Sequence, residues 1–197
     1  MKGKQYMKLK RFSTVMTALV FGLTTMSLVA QDSMMSKKDP KVGGAAMYAN
    51  KNIVENAVNS KDHTTLVAAV KAAGLVDTLE SPCPFTVFAP TNEAFSALPA
   101  GTVDNLLKPE NKDQLKKVLT YHVVSGTMNS KAIMKAIKDG GGKATLTTVE
   151  GGTLTATMKG GKIMLTDEKG GMATVTIKDV YQSNGVIHVI NAVLLPN

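Results

Sequence analysis

Three histidines, one cysteine and a few carboxylates are the residues here whose types suit metal or covalent chemistry. His63, His122 and His188 with Cys83 are the donor types of a zinc site. Protein zinc ligands usually come in closely spaced pairs, and none of these four has another donor at such a spacing. No metal site is expected. Nucleophilic catalysis would need a Ser or Cys with a base beside it. The sequence has no Gly-x-Ser-x-Gly elbow, no phosphate-binding Gly-rich loop and no His-Glu-x-x-His. Gly140-Gly141-Gly142-Lys143 lacks the rest of a phosphate loop. Asp167-Glu168 lies in a Gly-rich turn and is expected to be solvated. Asp179 follows a strand and is expected to cap or turn the chain. No carboxylate pair has a context for acid–base work. The reading is a non-enzyme with no catalytic residues and no cofactor.

The elements that carry these residues begin after a distinctive N-terminus. Five of the 23 basic residues (Lys2, Lys4, Lys8, Lys10, Arg11) fall in the first eleven positions. Phe12 to Gln31 then run without a formal charge. A basic segment, an apolar centre and a small residue at Ala30 are the layout of a secretory signal peptide over residues 1–30. All 15 acidic residues follow it, against 18 basic ones, so the net charge of +8 belongs mostly to the leader. A nucleic-acid partner is therefore not expected. Membrane contact is expected only through the N-terminal segment, if it stays uncleaved. Cys83 is the only cysteine, so no intramolecular disulfide can form, and it is expected as a buried small residue.

Residues 31–51 read as a linker, and 52–197 as one domain. Leu66, Ala69, Val70 and Ala73 form a helical stripe that Gly74 can end. Phe85 to Ala89 is β-branched and aromatic, a strand that Pro90 stops. Thr91-Asn92 offers cap chemistry for the next helix. Leu115, Val118, Leu119 and His122 repeat the stripe, giving way to strand near Val123. Ile133, Met134 and Ile137 mark a last helix. Four Thr-, Val- and Leu-bearing runs follow between Gly151-Gly152, Gly160-Gly161 and Gly170-Gly171, which predicts an antiparallel meander with one wet face. Val186 to Leu195 is almost continuously apolar, so it is expected as a strand buried on both faces. Helices first and strands later make an α+β domain. His122 and His188 lie in apolar segments, where ring nitrogens are expected to be bonded internally.

Three segments carry a family resemblance. Phe85-Thr86-Val87-Phe88-Ala89-Pro90-Thr91-Asn92-Glu93-Ala94-Phe95 resembles the first signature box of fasciclin domains. Tyr121-His122-Val123-Val124-Ser125-Gly126 resembles the central Tyr-His motif. Asn184 to Pro196 resembles the second box, with Asn191 where relatives often have Asp. The resemblance covers about residues 50–197. It implies a fasciclin-like fold: a two-layer antiparallel β wedge with N-terminal helices packed alongside and the two boxes together in the core. It also implies extracellular interaction, and marks Tyr121 and His122 as candidate binding residues.

The functional expectation is a secreted or cell-envelope protein that mediates adhesion to a surface, matrix or neighbouring cell by non-covalent binding. The partner would be a protein or a matrix surface. The alternative is a periplasmic or extracellular small-ligand-binding protein with its pocket between helices and sheet.

Overall fold

The computed structural model describes residues 39–82 and 84–197. The leader, residues 31–38 of the linker and Cys83 lie outside the described residues. A two-stranded ribbon comes first, β1 (Lys41–Val42) and β2 (Ala45–Ala46), turning through Gly43 and Gly44 with positive φ. Val42 and Met47 are buried among the apolar side chains of the helices. The 40s, read as linker, thus contribute to the core. Only Val42 and Met47 are buried there, with Ala45 partly so, too few to show a period.

The helices follow local signals. In α1 (Ile53–Ala57), Asn52 caps the amide of Glu55, and the Glu55 carboxylate accepts from the Asn52 amide. α2 (Thr64–Ala73) ends at Gly74, whose φ of 68° is the left-handed stop a glycine takes easily. α3 (Val76–Glu80) follows. β3 (Phe85–Pro90) leads to α4 (Asn92–Ser96), capped by the Thr91 hydroxyl. α5 (Thr102–Leu106) and α6 (Lys112–Tyr121) come next, then β4 (Val123–Ser125) and α7 (Ser130–Asp139), capped by Asn129.

The meander comprises β5 (Lys143–Thr147), β6 (Thr153–Lys159), β7 (Lys162–Thr166) and β8 (Met172–Gln182), and β9 (Gly185–Ile190) ends the sheet. The strand order is β4-β3-β9-β8-β7-β6-β5. The α+β class is observed, with helices packed alongside. The sheet departs from a wholly antiparallel one in a single pair: β3 and β9 are parallel, in register from Phe85↔Gly185 to Pro90↔Ile190. That pair joins the two signature boxes in the core. The far edges approach each other as well. Val124 bridges Thr148, and the Val149 amide donates to the Val123 carbonyl at 2.7 Å. The sheet therefore curls back on itself.

This curl explains the two apolar runs. Val87, Ala89, Ile187 and Val189 pack against the helices, while Phe88 and Ile190 pack into a second core with α7 and the meander. A strand between two cores needs apolar residues at every position. The last run is shorter than its hydropathy, because β9 stops at Ile190. Its neighbour β3 leaves the ladder at Pro90 and turns into α4, so Asn191 bonds Thr174 instead. β8 runs longer than expected because it carries a bulge in which Asp179 has a φ of 60°. Of the three Gly pairs of the meander, Gly160-Gly161 alone supplies two positive φ values; Gly152 and Gly171 instead make room for the Tyr121 ring and the Asp167 carboxylate.

Candidate functional site

Tyr121 and His122 end α6, between the two cores. Tyr121 is fully buried. Its hydroxyl donates to the Thr153 carbonyl at 2.7 Å and accepts from the Glu168 amide at 3.2 Å. Burial raises its pKa. His122 is 3% exposed. Its Nδ1 donates to the Val118 carbonyl at 2.8 Å, and its Nε2 accepts from the Leu194 amide at 3.0 Å. The amide can only donate, so the ring is neutral with its proton on Nδ1. Burial pushes its pKa down to about 4, against weaker opposing effects of the Val118 carbonyl and Asp167. Both side chains thus bind backbone from distant segments.

The bulge in β8 brings together residue types that sequence distance hides. The Ser130 hydroxyl and amide both donate to the Asp179 carboxylate, at 2.5 and 2.6 Å. His188 stacks on Phe88 with ring centroids 5.7 Å apart. Serine, histidine and aspartate are the members of an acyl-transfer triad, but their wiring here differs. The His188 Nε2 donates to the Met128 carbonyl at 2.9 Å, and its Nδ1 accepts from the Asp179 amide at 3.4 Å. The serine proton goes to the carboxylate, so no base activates the hydroxyl. Burial pushes the Asp179 pKa up, yet the two Ser130 donors more than offset it and hold it below the usual value. Burial lowers the pKa of His188.

His63 lies at the start of α2, with Nδ1 2.9 Å from the Ser60 hydroxyl, and burial lowers its pKa. Asp167 is a correction to the solvated turn read from sequence. It is 7% exposed, and its carboxylate accepts from the amides of Lys169, Gly171 and Leu195. Beside it, exposed Glu168 accepts from the amide and hydroxyl of Thr153. Among the described residues, no three His, Cys, Asp or Glu side chains converge as a metal-holding group.

Two exposed tyrosines that sequence reading missed lie on segments that meet at the β8–β9 turn. Tyr48 and Tyr181 are 44% and 40% exposed. The Lys51 ammonium lies 5.2 Å from the centroid of the Tyr48 ring, a cation–π distance. The buried Asn56–Gln182 pair ties these segments together: Asn56 bonds both the amide and carbonyl of Tyr48, and Gln182 adjoins Tyr181. The Ser183 amide donates to the Lys51 carbonyl. Exposed tyrosines on a fixed backbone offer large contact area at low entropic cost. Tyr48 lies in the segment read as linker, which is why no motif flagged it.

Comparison with known proteins bears on these features together. Residues 61–196 match a family model described as the fasciclin domain. Protein sll1483 of Synechocystis sp. is 44% identical over 183 residues, 93% of each chain. Immunogenic protein MPB70 of Mycobacterium bovis is 37% identical over 145 residues, 71% of this chain and 66% of that one. Pig transforming growth factor-beta-induced protein ig-h3 is 38% identical over 131 residues, 66% of this chain but 17% of that far longer one. Among solved structures, a FAS1 domain pair from the insect cell adhesion molecule Fasciclin I is similar, with a TM-score of 0.65 at 19% identity. That match covers 74% of this chain and 51% of the domain pair, and shows the fold.

Proposed function

The chain belongs to the fasciclin-domain family, and from that premise we propose that it is a secreted or cell-envelope interaction module. It mediates adhesion to a surface, matrix or neighbouring cell by non-covalent binding. The observation that carries this reading is the division of labour between buried and exposed groups. Tyr121, His122, Ser130, Asp179 and His188 are tied into the scaffold by hydrogen bonds. Tyr48 and Tyr181 are exposed, and the Lys51 ammonium lies over the Tyr48 ring, so aromatic and cationic surface is presented to solvent. The insect protein with the similar fold is named a cell adhesion molecule. In this proposal Tyr121 and His122 act through the scaffold, and the exposed tyrosines Tyr48 and Tyr181 meet the partner.

Beads coated with the full chain test it against intact cells of the source. The expected result is saturable attachment that falls at least tenfold when Tyr48 and Tyr181 are both changed to Ser. Attachment equal to that of bare beads, or unaffected by the double change, overturns it. Fractionation with intact-mass measurement checks localisation: the chain should leave the cytoplasm cut after Ala30 and be shaved from intact cells by protease. Confinement to a protease-protected compartment is incompatible with contact adhesion.

A further inference from the structure

A cleft runs between the helical layer and the sheet, and neither Tyr48 nor Tyr181 lines it. Its cavity volume is about 60 Å³, and the space counted out into open solvent is about 760 Å³. α1, α2 and α3 form one wall; β3, β4 and the end of α6 form the other. The lining is almost wholly apolar and rich in valine, including Val54, Val67, Val70 and Val87. Valine has few rotamers, so these side chains cannot swing to fill the space. Nor can the short helices collapse freely onto it. The Asn184 side chain accepts from the Ile53 amide in α1 and donates to the Leu79 and Ser81 carbonyls at the end of α3, fixing both to the β8–β9 turn. The void is built into the frame.

The few polar lining groups say what could enter. His122 has both ring nitrogens bonded to backbone, and the Thr120 hydroxyl donates to the Lys116 carbonyl. That leaves Thr78 and the one charged lining residue, Lys71, both exposed; a lysine so placed can lay its stem on apolar surface and keep its ammonium in water. Lys112 lies at the same end of α2, with Nζ 3.6 Å from where a Gly74 Cβ would stand. Neither lysine makes an ion pair among the described residues. The acidic side chains of α3, Asp77 and Glu80, do not line the cleft.

An apolar slot with one lining cation, and a second lysine beside the end of α2, complements one ligand type. We propose that this cleft binds a long-chain aliphatic carboxylate, with the hydrocarbon chain between α1–α3 and β3 and the carboxylate at Lys71 and Lys112. A 60 Å³ void is smaller than the dry cavity that accepts benzene in other proteins, so the chain enters by spreading the rim. Leu75 and Val76, where α3 begins and away from the Asn184 bonds at its end, line the cleft and are only half-buried. The site stands independently of the adhesion reading, since neither Tyr48 nor Tyr181 lines it.

The probe is cis-parinaric acid, whose fluorescence rises in an apolar site. The chain has no tryptophan to interfere. The full chain, in the form the cell delivers, should bind the acid saturably at one per chain. Lys71→Glu, an exposed change that spares the core, should weaken the acid about tenfold and leave its methyl ester unchanged, because only the acid carries the charge. Ala57→Phe projects a ring into the cleft and should abolish binding of both, with an unaltered circular dichroism spectrum. It also separates the cleft from the apolar leader, which it does not touch. Three results overturn the proposal: no saturable binding, binding that survives Ala57→Phe in folded protein, or equal effects of Lys71→Glu on acid and ester.

Discussion

The Nε2 of His122 accepts the backbone amide of Leu194, 72 residues further along the chain, at 3.0 Å. With Nδ1 donating to Val118, the ring joins the end of α6 to the segment after β9. The junction works only while the ring is neutral. A proton on Nε2 would face an N–H, and the bond would be replaced by repulsion.

Stability should therefore depend on pH with a definite sign. Unfolded, the ring titrates near 6.5; folded, burial holds it at about 4. Between those values the unfolded chain binds more protons, so stability is full above pH 6.5 and falls as the pH drops toward 4. At about 1.4 kcal/mol per unit, His122 alone gives a loss of roughly 3 kcal/mol across that window. His63 and His188 are displaced in the same direction and add to it. Urea midpoints at pH 7.5, 6 and 5 should fall in that order. His122→Phe should be less stable at pH 7.5, by about 2–4 kcal/mol for two orphaned backbone groups, with a flatter pH profile. A profile as steep as the parent's would show that the titration lies elsewhere.

Asn184 holds three backbone groups with one amide: Ile53, Leu79 and Ser81. Asn184→Ala should cost about 2–4 kcal/mol in urea unfolding, because buried partners are left unsatisfied. Asn184→Asp should also be destabilising. It can still accept from Ile53, but it turns a carboxylate toward two carbonyl oxygens. Hydrogen exchange should rise first in α1 and α3. Uniform loosening of the whole domain would contradict the staple.

Next to it, Gly185 approaches the Phe85 backbone so closely that a Cβ would collide with the Phe85 carbonyl. That carbonyl belongs to the parallel β3–β9 pair and cannot step aside. Gly185→Ala should cost more than about 3 kcal/mol, or leave the chain insoluble. Gly101 has a φ of 81° and open space around it, so Gly101→Ala should cost only the backbone strain, about 1 kcal/mol. Similar melting temperatures for the two variants would rule out the collision.

Gly185 and Asn184 also mark the limit of what the sequence reveals. Their dipeptide reads as a turn, and a turn is there. What Asn184 bonds is set by helices more than a hundred residues away, and no local pattern encodes that. The strands of the two boxes were legible because burial on both faces demands unbroken apolar runs. Asp167 was misread because a carboxylate in a Gly-rich turn looks solvated until the C-terminal segment folds over it. The meeting of Ser130, Asp179 and His188 depends on a bulge inside a strand. Tyr48 follows a ribbon whose strands are only two residues long, too short to show a pattern. Local periodicity shows which faces are apolar; it does not show which distant backbone groups a polar side chain will satisfy.

Tyr121 separates a contact role from a scaffold role. Tyr121→Phe keeps the buried ring against Gly152 and removes one oxygen. The Thr153 carbonyl loses its donor and the Glu168 amide its acceptor. The expected cost is about 1–2 kcal/mol in urea unfolding. Bead attachment by the folded variant should match the parent, because a fully buried side chain presents nothing to a partner. The Tyr48→Ser, Tyr181→Ser pair should do the reverse, with a large loss of attachment by a protein that still folds. If Tyr121→Phe abolished attachment while its urea midpoint stayed at the parent value, the hydroxyl would be a point of contact. Recognition would then have to proceed through an opened form of the domain in which the end of α6 leaves Thr153.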